Sequence, residues 1–143
     1  MDQKKFGYWI KYIYNSFEKS KNKSLEILDI TSSQADVLMY LLHNKDEVLN
    51  QKDLEKEFNL KNSTINGILN RLENKNFIVR KTNDKDGRFK DIYLTELSFN
   101  AKEEIINRMK ELNKDIFKEV SEEDICTFFK VVKKVSKNMK EDE

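Results

Sequence analysis

Between residues 60 and 95 the sequence sets short hydrogen-bonding side chains beside a cluster of cations. Ser63, Thr64, Asn66, Gly67, Asn70 and Arg71 fall on one side of a helical period whose other side is Ile65, Ile68, Leu69 and Leu72. The other helical segments of this chain expose Lys and Glu. This face instead carries short, uncharged donors and acceptors with one Arg toward its end. Such a face lets another surface approach closely and pairs with its polar groups, and the major groove of duplex DNA offers a matching surface. Asn is suited to adenine through a bidentate pair, or to a phosphate through its amide. The competing reading is a polar helix face that happens to lack charge.

The residues that follow favour a strand. Phe77, Ile78 and Val79 are aromatic or β-branched. Ile92 and Leu94 alternate with Asp91 and Tyr93, as in a half-buried strand. Between them Asp86-Gly87 predicts a type I′ hairpin turn, with Gly at positive φ. From Lys61 to Lys90 there are eight positive residues (Lys61, Arg71, Lys75, Arg80, Lys81, Lys85, Arg88, Lys90) against three negative (Glu73, Asp84, Asp86), a local +5 in a chain of net +1. A local positive field in a nearly neutral protein implies a polyanion at one face. Arg80, Lys81, Lys85 and Lys90 are expected as phosphate contacts or as long-range charge. Arg88 either reaches the polyanion or pairs with Asp86, and the two roles are compatible. Arg71 pairs near Glu73, pairs with the hairpin, or contacts the same partner.

Elements that would position these groups are legible on either side. Thr31 with Gln34 is a capping box, and it starts a helix whose inner face is Ala35, Leu38, Leu41 and Leu42. Asn44 is expected to end it in the left-handed conformation. Asn50 with Asp53 caps a short helix with Leu54 and Phe58 inward. Asn59 then supplies the tight turn where Gly is usual, so residues 50–73 read as a helix-turn-helix. Asn76 ends the second of these helices. Residues 4–20 form an aromatic helix with Phe6, Trp9, Ile10, Ile13 and Phe17 along one stripe, and 21–30 read as a connection. A helix from Thr95 to about Asp115 turns Ile105, Met109, Leu112 and Ile116 inward. Ser121 caps a last helix carrying Ile125, Phe128, Phe129, Val132, Val135 and Met139.

Length, composition and cysteine usage exclude several classes. At 143 residues the chain suits one domain, or a DNA-binding lobe plus a dimerisation lobe. There is no long apolar run, so no membrane partner is expected, and the first residues lack the features of a signal peptide. A single Cys excludes an internal disulfide and fits a cytoplasmic setting. Cys126 reads as a buried, inert thiol beside the last apolar stripe, with a redox sensor as the alternative. One His, no Gly-rich phosphate loop and no clustered ligands leave no basis for catalysis, a metal or a cofactor.

The motif D-x-R-x-x-x-x-x-L-T stands as Asp86, Arg88, Leu94 and Thr95, and S-T-I-N-x-I-L-x-R-L-E runs upstream from Ser63 to Glu73. In this order and spacing they resemble the MarR (multiple antibiotic resistance regulator) family, and the resemblance covers nearly the whole chain. It implies a mainly α (α+β) fold: a winged helix-turn-helix with N- and C-terminal dimerisation helices. The implied division is an N-terminal dimerisation helix over 1–30, a DNA-binding domain over 31–95 and C-terminal dimerisation helices over 96–143. It implies a homodimeric DNA-binding transcriptional regulator, a repressor by family habit, on a pseudo-palindromic site. Arg88 would enter the minor groove. Lys61 and Asn62 open the reading helix, where free N–H groups favour phosphate. The family more often has a hydroxyl residue at Lys61, which leaves Asn62 as an alternative cap. Tyr8, Trp9 and Tyr12 either line a cavity for a small aromatic effector or serve as dimer-core aromatics. The runner-up reading is a winged-helix protein-interaction module that binds no DNA.

Overall fold

Three of the helices begin where a short polar side chain holds the first free amides. The computed structural model describes residues 5–140, so a helix start at residue 4 lies outside the described residues. Helix α1 spans Phe6–Leu25, α2 Ser32–His43, α3 Gln51–Phe58, α4 Asn62–Asn74, α5 Glu96–Ile116 and α6 Glu122–Asn138. Strands β1 (Leu49–Asn50), β2 (Ile78–Thr82) and β3 (Lys90–Leu94) form one antiparallel sheet in the order β1-β3-β2. The fold is mainly helical with a small sheet, a winged helix-turn-helix.

Both expected capping boxes are present: Thr31 Oγ1 accepts from Gln34 N, and Asn50 Oδ1 accepts from Asp53 N. Ser121 Oγ accepts from Asp124 N at 3.1 Å at the start of α6. Asn59 and Asn76 stand at φ 49 and φ 65, the left-handed turns that end α3 and follow α4.

Several local expectations differ, and one element is added. Asn44 ends α2 at φ −113, not left-handed; its side-chain amide donates to Tyr40 O and its N–H to Leu41 O, so the last carbonyls are satisfied without the turn. The segment 21–30 is not a free connection. Helix α1 continues through Leu25 because Lys21 pairs with Asp36 and Asn22 Oδ1 accepts from Ser32 N, after which a 3-10 turn (Glu26–Leu28) leads to Asp29 at φ 53. Strand β1 is a further element, and it pairs Leu49 with Ile92 and Asn50 with Asp91. Gly87 has no positive φ, so the hairpin tip is not a type I′ turn. It is a longer loop closed by Asn83 N–H donating to Phe89 O, in which Asn83 Oδ1 accepts from the amides of Lys85 and Asp86.

The chain divides into two compact units, one ending at Met109 and the other beginning at Lys110. In the first, Leu38 and Leu42 of α2, Leu54 of α3, and Ile65, Leu69 and Leu72 of α4 are fully buried with Ile78 and Ile105. That core fixes which side of α4 faces outward. Asp91 is also buried, against the alternation expected of β3, because Asn83 Nδ2 donates to its Oδ2 at 2.9 Å. In the second unit Phe117, Phe128 and Phe129 contact one another, and no residue of α6 is buried. Ile116, expected inward, is 44% exposed because α6 has no buried layer to receive it. Cys126, expected buried, is exposed for the same reason.

Candidate nucleic-acid interface

Helix α4 presents the predicted face. Ser63, Thr64, Asn66, Asn70 and Arg71 are exposed while Ile65, Ile68, Leu69 and Leu72 are buried beneath them. The helix cap is Lys61, in extended conformation, and no side chain bonds to the first turn; Asn62 is already helical. The first amides of α4 are thus left without a side-chain acceptor. A Cβ built at Gly67 would meet only Arg71 Nη1 at 3.8 Å, an ordinary contact. The fold therefore has no need of glycine there.

The hairpin tip is built around Asp86. Its carboxylate accepts from Arg88 Nε at 3.0 Å, from Arg88 Nη2 at 2.8 Å and from the Arg88 amide at 3.1 Å. These bonds from Arg88 hold the Asp86 carboxyl below its ordinary value and raise the Arg88 guanidinium above its own. The orienting contribution of Asp86 is present above the ordinary carboxylate range and is lost as pH falls through the lowered value. The Arg88 side chain remains 85% exposed, so the pair aims the guanidinium without covering it. At the other end of the motif, Thr95 Oγ1 donates to Asn76 O at 2.6 Å, and Thr95 N–H donates to Phe77 O. This ties the end of β3 to the end of α4.

Arg80 and Lys81 part company because successive strand residues face opposite sides of a sheet. Lys81 lies over the Tyr93 ring at 5.5 Å. Arg80 instead turns back onto α4. Its Nε donates to Glu73 Oε2 and its Nη2 to Glu73 Oε1, both at 3.3 Å, and its backbone N–H also donates to Glu73. Its Nη1 donates to Asn66 Oδ1 at 3.2 Å and its Nη2 to Asn70 Oδ1. The hydrogen bonds from Arg80 lower the Glu73 carboxyl below its usual range and keep it ionised. The Arg80 side chain is only 12% exposed, so it is not the free surface cation that its type and position suggest. Glu73 pairs with Arg80, not with its near neighbour Arg71.

A cleft of about 240 Å³ brings several of these groups together: Asn62, Asn66, Arg80, Arg88 and Lys90 line it. Gln51, Lys52 and Glu55 of α3 line it too, and none of them was singled out from the sequence. Gln51 and Glu55 flank the buried Leu54 on α3, and their residue types gave no signal. Glu55 Oε2 is buried there without a hydrogen-bond partner, 4.0 Å from Lys52 Nζ. Lys85 and Lys90 are exposed on the hairpin. Tyr8, Trp9 and Tyr12 contact one another through their rings and are more than half exposed, and in this single chain they form a surface cluster.

The family model of the MarR family matches residues 28–88, the segment from the end of the 3-10 turn to Arg88. The solved S. aureus MepR–DNA complex superimposes with a TM-score of 0.84 at 25% identity, over 94% of this chain and 98% of that one. Over residues 28–88 the chain is similar to the MarR family in sequence, and over nearly its whole length it is similar to MepR in fold. A MarR regulator from Oenococcus oeni PSU-1 matches at 27% identity and TM-score 0.68, over 92% of this chain and 98% of that one. A MarR transcriptional regulator from Methanosarcina mazei Go1 shares the fold with a TM-score of 0.82 at 20% identity, over 95% and 96% of the two chains. No curated protein matches the sequence significantly. These likenesses support a winged-helix DNA-binding transcriptional regulator, and among the described residues no helix is long and apolar enough to cross a membrane.

Proposed function

We propose that this protein is a cytoplasmic homodimeric repressor that sets two copies of α4 into successive major grooves of a pseudo-palindromic promoter site. The observation that carries the reading is the joint placement of an exposed α4 face of short polar side chains and an exposed, carboxylate-oriented Arg88 beside one cleft. The structural match to MepR bound to DNA supports it. In this reading residues 31–95 bind DNA, and the helices on either side of them dimerise. Ser63, Thr64, Asn66 and Asn70 face base edges, the open start of α4 at Lys61 and Asn62 takes a phosphate, and Arg88 enters the minor groove. Arg71, Lys81, Lys85 and Lys90 add positive field around these contacts.

Dimerisation is supported by large apolar residues that stay exposed among the described residues. On α1 these include Trp9, Ile10 and Ile13, and on α6 Phe128, Phe129 and Val132. Patches of this kind mark protein interfaces, and a two-fold pair would space the reading helices about one DNA turn apart. A small aromatic effector that packs on Tyr8, Trp9 and Tyr12 would control release, through its different affinities for the two dimer states. The protein-interaction alternative draws less support from the hairpin, whose tip exposes Lys85, Arg88 and Lys90 and whose exposed apolar groups are the single cross-strand pair Val79 and Tyr93.

Selection of bound duplexes from a random pool tests the proposal. Enriched inverted half-sites one helical turn apart are expected, and direct repeats or no enrichment would refute it. Two substitutions probe the contacts. Arg88→Ala should reduce the log–log salt slope of binding by about 0.9 for each Arg88 removed, measured by titration at several salt concentrations; an unchanged slope would remove the hairpin from the interface. Gly67→Ala should stabilise the folded chain by roughly 0.5–1 kcal/mol, since glycine inside a helix is unfavourable and space exists for the methyl. The same change should weaken duplex binding, because the methyl enters the approach surface. Parallel thermal melts and binding titrations separate the two effects, and tighter binding would contradict the close approach.

A further inference from the structure

Asn66, Asn70 and Glu73 lie at i, i+4 and i+7 on α4, so their side chains line one strip of the helix. The Arg80 guanidinium of β2 runs along that strip and donates to all three. A guanidinium has only donors, so the amide atom of each Asn that faces it must be the oxygen. Both amides are thereby oriented by one group: Oδ1 toward Arg80, Nδ2 left for whatever docks. Among the described residues neither Nδ2 donates to a protein acceptor, and both Asn residues are exposed while Arg80 is nearly buried. Glu73 fixes the guanidinium from its far end, so the arrangement exists before any partner arrives.

Resting on the DNA-binding reading above, we infer that Arg80 is a specificity-positioning residue: it locks Asn66 and Asn70 as hydrogen-bond donors that select groove acceptors and disfavour exocyclic amino groups. A free Asn suits adenine because it accepts from N6 while donating to N7. Here each Oδ1 already accepts from a cation, and that cation repels a second donor placed beside it. Guanine N7 and O6, or thymine O4, meet the amide N–H groups with no such conflict. The bidentate Asn–adenine pair expected from residue types alone is replaced by recognition of guanine or thymine. Arg80 acts through the two Asn side chains and makes no base contact of its own.

The test uses the full chain and fluorescence anisotropy on duplexes that carry each of the four bases at the position whose preference Asn66→Ala abolishes. The wild type should favour guanine or thymine over adenine by roughly tenfold, the scale of one base contact. Arg80→Met keeps the stem but frees both amide oxygens, and it should admit adenine and cut that discrimination several-fold. A merely structural Arg80 would weaken every duplex alike and leave the base order unchanged, which would overturn the inference, as would adenine preference in the wild type. Should Arg80→Met lose its helical circular dichroism, wild-type protein decides the matter on duplexes whose selected guanine or thymine lacks its groove acceptor. Binding weaker by about tenfold supports the donor assignment, and unchanged binding overturns it. Failure of the wild type to bind any duplex at low salt overturns the DNA-binding reading itself, a result distinct from binding with adenine preferred.

Discussion

Leu69→Ala is expected to lower the stability of the chain by about 2–5 kcal/mol, the range for truncating a fully buried leucine. Leu69 is 0% exposed on the inner side of α4, among Ile65 and Leu72, which are equally buried, and Leu38 and Leu42 of α2 belong to the same core. Removing its branch leaves a cavity directly beneath the face that carries Asn66 and Asn70. The substitution thus acts on the foundation of the candidate interface while leaving its outer chemistry intact. Urea unfolding measures it as a lower midpoint at unchanged slope. Leu60→Ala, at a residue 38% exposed, is the control and should change stability by no more than about 0.5 kcal/mol. Equal effects at the two positions would contradict the assignment of α4's buried side.

Charged substitution of the α6 stripe should have the largest effect on binding. Phe128 and Val132 lie one helical turn apart, 45% and 38% exposed, and neither belongs to the core cluster of the first unit. Phe128→Glu combined with Val132→Glu sets like charges against each other across a two-fold axis and removes apolar contact area. The expected product is a folded monomer, with affinity for a two-half-site duplex reduced by about 10²–10⁴ because the second half-site no longer binds intramolecularly. Its affinity for an isolated half-site should fall far less. Circular dichroism establishes that the helices remain, and sedimentation establishes the mass. A variant that stays dimeric with full affinity would place the subunit interface elsewhere.

Local chemistry was the most legible part of the fold. Thr31 with Gln34, Asn50 with Asp53, and Ser121 each start a helix as their spacing predicts, since a cap involves residues three apart. Asn59 and Asn76 take the left-handed turns that glycine would otherwise fill. The buried stripe of α4 follows from its period alone. What the sequence concealed depends on partners distant in the chain. Helix α1 runs on to Leu25 because Lys21 finds Asp36, and β1 exists because Leu49 meets Ile92. Asn44 and Gly87 show the converse: each permits a left-handed turn, but neighbouring side-chain and backbone bonds satisfied the chain another way.

The candidate site divides along the same line. Residue type and period identify the outer face of α4 and the Asp86–Arg88 pair, since both are local. Arg80 looked like one more surface cation in a positive hairpin. Its partners on α4 become evident only when β2 is laid against that helix, and strand alternation then sends Lys81 to the opposite side. The contribution of α3 through Lys52 and Glu55 was hidden for a similar reason, because the cleft forms between α3, α4 and both arms of the hairpin. Exposed apolar stripes were expected on α1 and α6, and Trp9, Ile10, Phe128 and Phe129 are indeed exposed.

Sedimentation equilibrium of the protein mixed with a duplex enriched from the random pool bears most directly on the paired-helix arrangement. A complex of two chains on one duplex, dissociating as salt rises, is the predicted result. A complex with one chain per duplex, or free protein and free duplex at low ionic strength, would contradict it.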